Sequence, residues 1–123
     1  MNRILKTGIF ILVLGLLQSC YWDNAEDLYP MVQECDTSNV TYAATISIIM
    51  ENNCNACHNS SFPQGGVIVD NYTDLKVVVD NGRFWGALNH EDGYSPMPQN
   101  MPKLNECNLS KIRVWIDQGA LDN

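Results

Sequence analysis

The chain has 123 residues and sets seven Lys and Arg against fourteen Asp and Glu, a formal charge of −7. That balance is wrong for nucleic acid, whose phosphates need Lys and Arg to displace counterions; it suits steered encounter with a basic patch on a partner, or plain solubility. The length allows one small domain, and small scaffolds bury so little surface that they commonly need a staple.

Residues 1–19 read as an export signal outside the fold. Arg3 and Lys6 supply a positive start and Ile9 to Leu17 an apolar stretch, which is the layout of a signal peptide. Leu17-Gln18-Ser19-Cys20 resembles the lipobox of a bacterial lipoprotein. This resemblance implies cleavage before Cys20, the lipidation site, which becomes a mature N-terminus bearing a diacylglyceryl thioether. The apolar run is shorter than the roughly 20 residues a membrane span needs. Two or more acyl chains, at about 0.8 kcal/mol per buried methylene, make a stable anchor. Tyr21 stands where an Asp would favour retention in the inner membrane, so the resemblance leans towards the outer membrane of a Gram-negative envelope, on its periplasmic face or at the cell surface. Cleavage leaves five bases against fourteen acids, a formal charge of −9.

Residues 20–40 hold the acidic Asp23, Glu26 and Asp27 together with Pro30. They read as a lipidated N-terminus and solvated tether, with a surface-export cue as the alternative. The domain is expected over residues 41–123. From Tyr42 to Asn53, apolar Ala43, Ile46, Ile49 and Met50 recur at three- and four-residue steps, the pattern of an amphipathic helix. Ser60 to Gly66 is a loop by composition, with Pro63 and the Gly65-Gly66 pair, and Val67-Ile68-Val69 an extended piece. Thr73 can cap a helix through Lys76 to Asn81 that Gly82 stops. The β-branched run Val77-Val78-Val79 keeps a strand open there. A further turn, Arg83 to Asn89, carries Phe84, Trp85 and Leu88. Asn105 can cap a last helix whose Leu109, Ile112, Trp115 and Ile116 share a face before Gly119 ends it.

The first helix runs into Cys54-Asn55-Ala56-Cys57-His58, the attachment pattern of a c-type haem. Two thiols three positions apart can each add across a vinyl group of one porphyrin, while the following imidazole reaches the iron. A structural zinc would need two of Cys35, His58, His90 and Cys107 beside Cys54 and Cys57, and a thioredoxin-like pair would need a βαβ setting, which the pattern lacks. Five cysteines find one job each: Cys20 for lipid, Cys54 and Cys57 for haem, Cys35 and Cys107 for a disulfide. That bridge would close a loop of about 70 residues and contribute about 4 kcal/mol in the chain-entropy model.

From Tyr42 to Ala120, about two thirds of the chain, the sequence resembles a small monohaem cytochrome c. The resemblance rests on the helix into Cys-Asn-Ala-Cys-His, on Ser95-Pro96-Met97-Pro98, and on a last helix with Val114-Trp115-Ile116. It implies an all-α fold of three to four short helices around one covalent haem c, with the first and last helices crossing. The metal ligands it implies are His58 on one side and Met97 on the other. Met97 follows His58 by 39 positions, fewer than in longer members of the family, which argues for a compact version.

A thioether opposite an imidazole favours ferrous iron and suits a one-electron carrier. Pro96 and Pro98 stiffen the backbone around Met97. Met101 and His90 are the rival ligands; the other reading of His90 is a solvated loop residue or a donor to a haem propionate. Arg83 reads either as a propionate partner or as a lone surface charge. The function implied is electron transfer between exported redox proteins by a membrane-anchored cytochrome, without enzymatic activity. An open or labile sixth site would instead make a haem enzyme or a gas or redox sensor, and docking on a larger dehydrogenase would make the chain its haem subunit. The haem-free chain is expected to fold poorly, because the porphyrin would supply much of the apolar centre.

Overall fold

A computed structural model describes residues 35–123; the export signal, Cys20 and the tether as far as Glu34 lie outside the described residues. The result is a mostly helical domain of four helices with one minor two-strand hairpin.

Cys35 is bonded to Cys107 with their Cα atoms 5.3 Å apart, so the chain is fastened to the last helix before the first begins. Val40 is already buried. Thr41, in extended conformation, accepts the N–H of Ala44 on its hydroxyl at 3.2 Å and starts the helical run. The first turn, Tyr42–Ile46, is a π-turn: the Ile46 N–H reaches back five residues to the Thr41 carbonyl. Helix α1, Ser47–Asn53, follows without a break. The wider winding brings Tyr42, not Ala43, onto the line of Ile46. Ala43 is accordingly exposed, a departure from the helical stripe read in the sequence, while Ile46, Ile49 and Met50 are buried.

After the Cys-x-x-Cys-His turn, β1 (His58–Asn59) pairs antiparallel with β2 (Phe62–Pro63), His58 opposite Pro63. The expected loop at Ser60 is thus a tight hairpin, the one departure from an all-α fold among the described residues. Its tip is held by short polar side chains: Asn59 Oδ1 accepts the Phe62 N–H at 2.8 Å, and Asp70 Oδ2 accepts the Ser60 N–H at 2.7 Å. That contact, a backbone N–H on Asp70, holds its carboxyl below the usual carboxylate range.

Helix α2, Tyr72–Asp80, resolves the helix-or-strand question at Val77-Val78-Val79 in favour of helix. Leu75, Val78 and Val79 turn inward and Val77 outward. Its cap is Asn71 and not Thr73: the Asn71 Oδ1 accepts the Asp74 N–H at 3.0 Å, and the Asn71 amide donates to the Asp74 carboxylate at 2.8 Å. Gly82, at φ +80°, stops the helix as expected, in a conformation that costs a side-chain-bearing residue free energy. It leads directly into α3, Arg83–Leu88.

Helix α4, Glu106–Asp117, is capped by Asn105, whose Oδ1 accepts the Asn108 N–H at 2.8 Å. Leu109, Ile112 and Trp115 are buried along its inner face, and Ile116 is half-buried. Trp115 shares the core with Ile46, Ile49 and Met50 and lies 6.0 Å from the Tyr42 ring, which in turn meets Tyr72 edge to face at 5.1 Å. Fully burying one such large apolar side chain contributes about 1.5–3 kcal/mol. The tail folds back over this cluster: Trp115 Nε1 donates to the Leu121 carbonyl at 2.9 Å and the Tyr72 hydroxyl to the Ala120 carbonyl at 3.0 Å. The N–H groups of Tyr42 and Ala43 reach Asn123. Among the described residues no helix is long and apolar enough to cross a membrane.

Candidate functional site

Helix α1 ends by passing its geometry to the motif. The Cys54 N–H still donates to the Met50 carbonyl at 2.8 Å, and the N–H groups of Cys57 and His58 both close on the Cys54 carbonyl at 3.0 Å. One turn therefore carries both thiols and the imidazole. Cys54 is half-buried and its thiol is pushed up to about 11, first by burial and then by the neighbouring Cys57. Cys57 is exposed, and neither sulfur is in a disulfide.

His58 is oriented by a group that residue patterns did not single out. Its Nδ1 lies 3.1 Å from the backbone carbonyl of Gln64. A carbonyl only accepts, so Nδ1 carries the proton and the lone pair is left on Nε2, the arrangement that readies a histidine for metal. The carbonyl is placed by the 3-10 turn Gln64–Gly66, which is tied to the motif through the Gln64 N–H and the Cys57 carbonyl at 3.0 Å. The Pro63 and Gly65-Gly66 composition signalled a loop there, but not which atom it would present.

Cys54 and His58 line a cavity of about 350 Å³ together with Met97, a volume within the range of ligand and cofactor sites. Val67, Val69, Val78, Phe84, Ala87 and Leu88 form its apolar walls, and Arg83, Tyr94 and Ser95 add its polar groups. Arg83 is exposed and has no ion pair among the described residues. Helix α3 shapes one wall: Phe84 and Leu88 face the cavity, whereas Trp85 turns the other way and lies under the Arg113 guanidinium, 5.2 Å from its ring centre. Of the three apolar side chains expected on this turn, two therefore wall the cavity.

Met97 arrives on a strap sewn to α3. Its N–H donates to the Ala87 carbonyl at 3.0 Å, and the Glu91 N–H to the Gly86 carbonyl at 2.9 Å. The Tyr94 ring packs so closely on Gly86 that a Cβ there would come within 2.5 Å of it. Only a glycine lets the strap lie this near the helix.

The rival ligands are placed elsewhere. Met101 is 64 % exposed and does not line the cavity. His90 does not line it either, and its Nε2 lies 3.0 Å from the Met97 carbonyl. Met50 is fully buried in the core. Cys35 and Cys107 are bonded to each other, which leaves His58 and His90 of the four zinc partners weighed above, and no three of His, Cys, Asp and Glu gather as a metal-binding group among the described residues. The burial that pushes the Cys54 thiol up to about 11 works against its serving as the attacking thiolate of a disulfide exchange.

The donor types are those a c-type haem would take: the Cys54 thiol, the His58 imidazole and the Met97 thioether line one apolar-walled cavity, while the second free thiol, Cys57, stands on the same turn and is exposed. No family model, curated protein or solved structure matches the chain.

Proposed function

We propose that this chain is a membrane-tethered c-type cytochrome that carries single electrons between exported redox proteins. The observation that carries the reading is the convergence of Cys54, His58 and Met97 on one cavity, although Met97 is 39 positions from His58 in sequence. Cys54 and Cys57 would hold the porphyrin through thioether bonds, and His58 and Met97 would supply the protein donors to its iron. Bound in that way, haem supplies one-electron chemistry at a potential raised by the thioether. The protein's part is to aim Nε2 of His58 through the Gln64 carbonyl, to exclude water with the Val, Phe and Leu walls, and to leave Arg83 available to a carboxylate.

The disulfide fits an oxidising compartment, in keeping with the export signal and with an anchor at Cys20. With both His58 and Met97 on the iron no position would remain for a substrate, which favours a carrier over an enzyme or gas sensor. The acidic surface favours a partner that offers a basic patch.

Optical spectra of the full chain, made with a cytochrome c maturation system, test this in the oxidised and reduced forms with and without carbon monoxide. The expected result is a covalent-haem spectrum with a weak near-infrared band that disappears in Met97→Ala, and no carbon monoxide binding by the wild type. Rapid carbon monoxide binding would overturn the carrier reading in favour of an open sixth site.

A further inference from the structure

His90 sits at an unusual point of the chain. It stands just past Asn89, the residue that caps the end of α3, at φ +54°, in the left-handed region that costs residues with a side chain free energy. Histidine is among the few that occupy it with some frequency. Such a conformation is kept where the surroundings over-determine it. Here its N–H donates to the Ala87 carbonyl at 3.3 Å, and its ring turns towards the strap so that Nε2 meets the Met97 carbonyl at 3.0 Å. Because that carbonyl can only accept, Nε2 carries the proton. One of its two ring nitrogens is thereby engaged with the peptide of the residue whose sulfur lines the cavity.

The Met97 backbone is then gripped at both ends of one residue. Its N–H is held by Ala87 at the end of α3, and its carbonyl by the imidazole that follows α3. Two hydrogen bonds on one residue fix the position of its Cα and the direction in which its side chain leaves. Pro96 and Pro98 supply no N–H on either side, and the next backbone pairing along the strap is the Met101 N–H on the Pro98 carbonyl at 3.2 Å; the link from Met97 back to α3 and its exit is made by these two contacts. Glu91 and Asp92 follow His90, but the Glu91 carboxylate accepts from the Asn89 amide at 3.0 Å and no acid pairs with the imidazole among the described residues.

From this geometry we infer that His90 is the positioning residue for the sixth ligand: it holds the Met97 carbonyl so that the sulfur is presented to the cavity before and after electron transfer. The inference rests on the reading of Met97 as the ligand opposite His58. It assigns His90 a role other than iron ligand, propionate donor or solvated loop residue.

Two variants of the full chain, matured with haem, separate this role from mere stability. His90→Gly removes the side chain and relieves the backbone at φ +54°, so folding is not burdened by strain. His90→Gln keeps an amide donor at similar reach. Covalent haem content, read from Cys54 and Cys57, reports folding in both. Binding of azide to the oxidised protein and the near-infrared band report how firmly Met97 is held. A hydrogen bond of this kind shifts an equilibrium by roughly fivefold to tenfold. His90→Gly is expected to bind azide about that much more tightly than the wild type and to show a weakened near-infrared band, with His90→Gln restoring at least part of both. Azide affinity within about twofold of wild type in His90→Gly, with an unchanged band, would overturn the positioning role. A wild-type spectrum that Met97→Ala leaves unaltered would show instead that the underlying ligand assignment is wrong, and the role with it.

Discussion

Around Trp115 the chain closes on itself. The indole is fully buried among Ile46, Met50 and Ile112, its N–H is satisfied by Leu121, the Tyr42 ring lies beside it with Tyr72 edge-on to Tyr42, and Asn123 ties the tail to the first turn. Around the cavity the same short chain does the opposite. Val67, Val78, Phe84 and Leu88 line open volume, and the sulfur and nitrogen atoms of Cys54, His58 and Met97 are gathered there without pairing with one another. One region spends its side chains on packing and the other presents them. A domain this small has few apolar residues to divide between two such tasks; under the proposed function a covalent cofactor would complete the second region as protein atoms complete the first.

That contrast predicts unequal responses to truncation. Trp115→Ala should cost the matured protein about 3–5 kcal/mol and should also remove whatever cooperative unfolding the poorly folded haem-free chain retains. Phe84→Ala, on the cavity wall, should destabilise the matured protein by a comparable amount and change the haem-free chain little. Urea unfolding of both variants in both forms checks this, and equal losses from Phe84→Ala with and without haem would mean that the cavity side packs by itself.

A smaller effect should follow from opening the disulfide. Cys35 and Cys107, 72 positions apart, join the entry of the chain to α4. Replacing both with Ser should remove about 2–4 kcal/mol and leave the haem spectrum unchanged, because neither residue touches the cavity. A changed spectrum would show that the two regions are more closely coupled than the contrast implies.

The smallest effect is expected at Asp70, whose carboxyl is held low by the Ser60 N–H. A depressed folded value contributes stability above the ordinary carboxylate value of 3.8, and this is lost as the pH falls through the folded value. Asp70→Asn should therefore be slightly less stable than the wild type near neutrality, with the gap closing in acid. A gap that stays constant with pH would place the effect in packing instead of charge.

Much of this fold was legible from residue spacing. The helical run into Cys54, the caps and stops at Asn105, Gly82 and Gly119, and the inward set Ile46, Ile49, Met50, Leu109, Ile112 and Trp115 all follow from period and turn chemistry. The second helix was legible but its cap was displaced: Asn71 and Asp74 form the reciprocal pair three residues apart, a signal that the hydroxyl of Thr73 obscured. Ala43 fell off the stripe because a π-turn changes the winding, and nothing in the composition of Tyr42–Ile46 announces one. The His58–Pro63 hairpin was hidden because it is only two pairs long and is held by Asn59 and Asp70 side chains.

In the candidate site, the motif on one turn was legible because its chemistry lies within five consecutive residues. The parts that escaped are those that act through backbone atoms: the Gln64 carbonyl on His58, and the Met97 carbonyl on His90. Residue types disclose side-chain chemistry; a carbonyl is present in every residue, so only the fold shows which one is presented. Trp85 escaped for a related reason, since six residues of helix fix which side chains face the cavity and Arg113 occupies the far side.

The most direct measurement is the intact mass of the full chain after expression with a cytochrome c maturation system, compared with a variant carrying Cys54→Ser and Cys57→Ser. One covalently added haem in the wild type and none in the variant is the predicted result. An unmodified wild-type mass, from cells that mature another c-type cytochrome normally, would contradict the account at its centre.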